Sequence, residues 1–147
     1  MLTGSLRCYP TPDQIMTPPI SFKEGTVELV HRWKDAEFVG WEEKTKEEKL
    51  ASLEKLVKKL ASSYGESVIV RRNGERYRFL LSSNVIEFDS EHPSIISALH
   101  EFRHRLNGPD EVSACRWSVQ LFARCFPEAF ARLQFKPGSH LLVKRTP

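Results

Sequence analysis

The residues of this sequence best suited to chemistry lie in the run His100-Glu101-Phe102-Arg103-His104. Side chains four positions apart leave a helix on one face, a turn from each other. Two imidazoles so placed fill two corners of a tetrahedral zinc site, each at about 2.0–2.1 Å from the metal. Glu101, one position along, reaches a water on that metal without ligating it. Zinc lowers the pKa of such a water towards about 7, and a nearby carboxylate then takes its proton. The spacing HExxH is therefore a chemical requirement as well as a pattern. The reading without chemistry is a pair of solvent-exposed histidines on an amphipathic helix.

A catalytic zinc site needs a third protein ligand and one position left open. Beyond His104 the sequence offers Asp110, Glu111, Glu128 and His140. Asp110 also reads as a helix N-cap, and Glu111 as a first-turn acid favoured by the helix dipole. Cys115, one turn past Glu111, is within range of a metal but reads as core filling. Stabilising a developing oxyanion needs a cation or hydroxyl opposite the metal, and His140, Tyr77, Arg103 and Arg116 all qualify by type. His92, before Pro93, reads as a turn residue, and His31 takes no assignment.

These residues need elements to hold them. Pro10, Pro12, Pro18 and Pro19 predict an irregular, extended arm over residues 1–40, and periodicity does not decide whether Thr26 to Trp33 is strand or helix. Thr45 with Glu48 forms a capping box for a helix to Ser63, whose Leu50, Leu53, Leu56, Val57 and Leu60 recur at helical spacing before Gly65. Ser67 to Leu81 reads as a hairpin turning at Asn73-Gly74, and Asn84 to Asp89 as a third short strand with Ile86 and Phe88 on one face. Ser94 caps a helix from Ile95 to about Leu106, with Ile95, Leu99, Phe102 and Leu106 as its core stripe. Asn107-Gly108-Pro109 breaks that helix, and Asp110 opens another to about Cys125. A last helical turn near Glu128 to Leu133 and a tail complete the chain. The order predicts an α+β domain with an N-terminal helix and a small three-stranded sheet, its core spanning residues 45–134 of a single domain, 1–147.

Composition narrows the partners. At 40% hydrophobic and 28% charged the chain has the balance of a globular protein. A net charge of +3, with both signs interleaved, gives no support to nucleic-acid binding. No apolar run is long enough for a membrane span, and the start lacks a signal-peptide pattern. The three cysteines, Cys8, Cys115 and Cys125, have no CxxC spacing, which argues against a disulfide framework and for a reducing, cytoplasmic location.

From Ile95 to Pro127 the sequence resembles the zincin metallopeptidases, which share the helix His-Glu-x-x-His. It is most similar to their gluzincin branch and, within it, to short intracellular peptidases of the ImmA/IrrE type. In those the second helix reads approximately Glu-x-x-Ala-Asn-x-Phe-Ala, followed by apolar residues and a proline. Here the stretch is Glu111-Val112-Ser113-Ala114-Cys115-Arg116-Trp117-Ser118, then Leu121, Phe122 and Pro127. Arg103 stands where such peptidases commonly carry glycine. The resemblance implies a minimal zincin-like domain in which the HExxH helix is followed by a helix carrying the third ligand, Glu111. Counting from His100 as in metzincins places Asp110 there instead. Implied with it are a Zn2+ cofactor bound by His100, His104 and Glu111, Glu101 as the catalytic base, and a peptide or protein substrate. The alternative is a zincin-like metal-binding module that regulates or interacts without peptidase activity.

Overall fold

A computed structural model describes residues 9–137 and 139–145. Proline does not keep the N-terminal region free of helix. Pro12 takes the first position of α1 (Pro12–Met16), where the missing N–H has no partner to lose, and Thr11 and Gln14 cap that turn reciprocally. Next comes α2 (Thr26–Trp33), which buries Val30 and Trp33 and runs on into a π-helical turn at Lys34–Phe38. The irregular arm expected over residues 1–40 is thus corrected for the described part, and residues 1–8 of that expectation lie outside it. Tertiary packing decided the ambiguous stretch: Trp33 donates its indole N–H to the Ser52 carbonyl at 2.8 Å and meets Trp41 and Phe126 edge-on.

The longest helix, α3 (Lys46–Ser63), starts at the capping box read from the sequence, with Thr45 and Glu48 each accepting from the other's backbone N–H. Leu50, Leu53, Leu56, Val57 and Leu60 are all buried, and Gly65 follows at φ 71°, a left-handed conformation that suits glycine.

Strand pairing departs from expectation. The strands β1 (Ile69–Gly74), β2 (Arg78–Leu80) and β3 (Val85–Asp89) form one sheet in the order β1-β3-β2. β1 pairs with β3 in parallel, so the hairpin expected at Asn73-Gly74 does not form. The antiparallel pair is β2 with β3, joined by a turn in which Asn84 takes the left-handed conformation at φ 57°. Gly74 serves close approach: a Cβ there would lie 2.1 Å from Glu87 Cγ. Being central, β3 is buried on both faces, with Ile86 and Phe88 on one and Glu87 on the other.

Ser94 caps α4 (Ile95–Asn107), and Gly108 at φ 81° ends it. Asp110 caps α5 (Glu111–Cys125) by accepting from the N–H groups of Val112 and Ser113. A short α6 (Pro127–Ala131) leads into an antiparallel pair, β4 (Leu133–Phe135) with β5 (Leu142–Lys144), where a tail was expected. The architecture is α+β. Leu99 and Phe102 of α4 pack with Trp117 and Leu121 of α5 in the main core, which α3 and β3 share. Burying each large side chain stabilises by about 1.5–3 kcal/mol, so the two helices are firmly mated. Among the described residues no helix is long and apolar enough to cross a membrane.

Candidate metal centre

With Leu99 and Phe102 turned into the core, the histidines of α4 emerge on the side that faces the start of α5. There three donor atoms converge. His100 Nε2 lies 2.8 Å from Glu111 Oε1, His104 Nε2 lies 3.1 Å from the same oxygen, and the two Nε2 atoms are 3.1 Å apart. Donors at about 2.0–2.1 Å from a tetrahedral ion stand roughly 3.3 Å from one another. Opening each edge of this triangle by about half an ångström or less therefore admits an ion.

The surroundings prepare the rings for that role. His104 Nδ1 is 2.8 Å from the Gly108 carbonyl, which only accepts, so Nδ1 is the donor there and Nε2 is the nitrogen that can offer a lone pair to a metal. The turn that ends α4 thus also orients the His104 ring. His100 is held below the ordinary imidazole range, first by burial and then by the neighbouring His104, against the pull of Glu111. A neutral ring is the form a metal needs.

Cys115 closes the far side of His100. Its Sγ is 3.9 Å from Nδ1, and donor atoms of His100, Glu111 and Cys115 all fall within 4.8 Å of one another. Two donor sets thus share His100 and Glu111. The set with His104 is the tighter. Burial, and then the charges of Glu111 and Glu101, push the Cys115 thiol up to about 12. A thiol so disfavoured as thiolate is the weaker ligand, although a bound cation would itself lower its pKa.

Beside the triad opens a cleft of about 730 Å³. Glu101, His104 and Glu111 of α4 and α5 line it, together with Tyr77, Arg78 and Phe79 at and beside β2. Glu101 is buried at 9% exposure, yet its side chain borders the cleft. Tyr77 donates its hydroxyl to the His92 carbonyl at 2.9 Å and accepts from Ser94 N–H at 2.8 Å, so it also braces the start of α4. Burial raises the Tyr77 phenol well above its ordinary value, which keeps it a neutral hydrogen-bonding group.

The other residues singled out in the sequence fall differently. Asp110 is occupied as the cap of α5, outside the triangle of donors. Arg103 points away from the cleft, lying over the Trp117 ring at 5.6 Å and donating to Ser113 Oγ at 3.4 Å. Arg116 donates to the Pro18 carbonyl and secures the N-terminal segment to α5. His140 stacks on Tyr9 at 3.9 Å between ring centroids, and its pKa is lowered by burial, with the charge of Glu111 opposing. Glu128 is exposed at the start of α6. That Arg76 and Arg78 border the same cleft as Glu101 could not be read from the sequence, because it depends on which segments meet in space.

No protein-family model, no curated protein and no solved structure matches the chain.

Proposed function

We propose that this chain is a zinc-dependent hydrolase of the peptidase type, with His100, His104 and Glu111 holding the ion and Glu101 as the general base. One observation carries the reading: two imidazole nitrogens and a carboxylate oxygen converge within 3.1 Å beside a cleft that Glu101 also lines. Nitrogen donors with a single carboxylate suit zinc better than calcium or magnesium, which prefer all-oxygen sets. When bound, zinc supplies a Lewis acid that makes water nucleophilic near neutral pH. Glu101 then accepts a proton on its carboxylate and passes it to the leaving amine, while α4 and α5 fix the distance between base and ligands. Tyr77 spends its one hydroxyl proton on the His92 carbonyl and accepts from Ser94 N–H, so it braces the start of α4, the helix that carries Glu101. The buried thiols of Cys115 and Cys125 suit a reducing, cytoplasmic setting, which belongs to the same reading.

The test is metal analysis of protein purified without chelator. About one zinc per chain is expected, lost in His100→Ala and kept in Glu101→Gln. Absence of metal from the unaltered protein would overturn the reading. With a cleavable peptide in hand, Glu101→Gln lowers turnover by about 10²–10⁴-fold, the range of general-base catalysis. Retained turnover in that variant would remove Glu101 from the mechanism.

A further inference from the structure

Two arginines, Arg76 and Arg78, are among the residues lining the cleft, and one of them is anchored on a buried carboxylate. Glu87 lies on β3, the middle strand, at 5% exposure. It accepts from Arg78 Nε at 2.5 Å and from an Arg71 terminal nitrogen at 3.3 Å. One carboxylate thus serves two guanidinium groups, which leaves the set one positive charge in excess. The absence of a Cβ at Gly74 makes the space for this side chain. Arg78 spends one nitrogen on Glu87, its side chain stays 40% exposed, and it lines the cleft. Two residues earlier, Arg76 is exposed and lines the same cleft, with no acidic partner among the described residues. Guanidinium groups are the side chains that bind carboxylates with two parallel bonds, and this cleft is lined by two of them.

We propose that Arg76 and Arg78 select substrates carrying an acidic side chain close to the bond that is cut, so that the cleft takes aspartate- or glutamate-containing peptides. This rests on the hydrolase reading for the position of that bond. Arg78 is the fixed contact, because Glu87 holds its Nε. Arg76 is the adjustable contact, on the exposed connection between β1 and β2. Burying a carboxylate in the middle of a sheet is tolerated only with its partners in place, so losing Glu87 releases Arg78 from the cleft wall.

The experiment incubates the zinc-loaded protein with a randomised peptide library that includes phosphoserine, and sequences the products. Aspartate or glutamate near the cut should be enriched at least about tenfold over asparagine and glutamine, the effect of a charge-assisted bond. Arg76→Glu, at an exposed position where substitutions usually change stability little, should abolish the enrichment or turn it towards lysine and arginine. Arg78→Lys should reduce it while keeping the charge. Cleavage with no acidic preference, or with a preference that Arg76→Glu leaves unchanged, overturns the proposal while the hydrolase reading stands. Enrichment of phosphoserine above both acids overturns the carboxylate assignment. A second arm measures binding of labelled decaglutamate and decaglutamine to Glu101→Gln. If no peptide is cleaved, a glutamate preference lost in Glu101→Gln/Arg76→Glu keeps the acid-binding cleft and sinks the peptidase, and no preference sinks both.

Discussion

Glu87 shows how one residue can be tied at once to stability and to the cleft. Burial alone would raise its pKa, but the bonds and charges of Arg78 and Arg71 outweigh that and lower it. A carboxyl whose folded pKa is depressed contributes stability that is fully present above its unfolded value, about 4.3. That contribution is lost as pH falls through the lower folded value. Denaturant midpoints followed from pH 7 downward should therefore drop below about pH 4.3, and Glu87→Gln should flatten that limb while lowering stability at neutral pH. Identical acid limbs in the two proteins would show that Arg71 and Arg78 do not stabilise the charge. Asp89, also lowered against its own burial by Glu91 and His92, adds to the same acid limb and remains as background in the variant. Gly74 belongs to this residue scale too. Gly74→Ala puts a Cβ 2.1 Å from the Glu87 side chain and 2.8 Å from the Phe88 carbonyl, and the backbone oxygen has little room to yield. A loss of about 1–3 kcal/mol is expected in the same denaturant assay, the range of overpacking.

At the scale of elements, what could be read from sequence was what is encoded within a few residues. The starts of α3, α4 and α5 followed from Thr45, Ser94 and Asp110, because a cap satisfies N–H groups within its own turn. Gly65 and Gly108 marked the ends for the same local reason. Thr45→Ala removes the bond to Glu48 N–H and should cost about 1 kcal/mol, read as a shift in denaturant midpoint at unchanged slope. No shift would mean that the buried leucines alone fix where α3 begins. Strand partners were not encoded this way. Asn73-Gly74 has the composition of a tight turn, but Gly74 is needed for the approach to Glu87, and β3 inserts between β1 and β2. The pairing of β1 with β3 is parallel and long in range, so no dipeptide announces it. The candidate ligands His100 and His104 were legible because helical spacing is local. Glu111 was placed by resemblance, and the structure brings its carboxylate to both rings. The place of Arg76 and Arg78 at the cleft was not legible, since it depends on how the segment around β2 packs near α4 and α5.

Across the whole molecule, the triad joins two helices that different signals build. His100 and His104 belong to α4 and Glu111 to α5, with the Asn107-Gly108-Pro109 turn between them. An ion held by all three cross-links the helices at their solvent-facing edge, complementing the apolar contact of Phe102 with Trp117 beneath. Because such a site does not exist in the unfolded chain, binding free energy becomes folding free energy. At a free metal concentration of 1,000 times Kd the gain is about 4 kcal/mol. In a chain of 147 residues each kilocalorie moves Tm by roughly 2–4 °C, so removing the metal should lower Tm by about 8–16 °C. His100→Ala should melt near the chelated protein and ignore added chelator, since its remaining donors cannot hold the ion. Calorimetry with and without chelator on both proteins makes the comparison. If chelator strips zinc from the unaltered protein and Tm does not move, the ion is not bound across α4 and α5. The three-ligand assignment would then fail, even if zinc had been present.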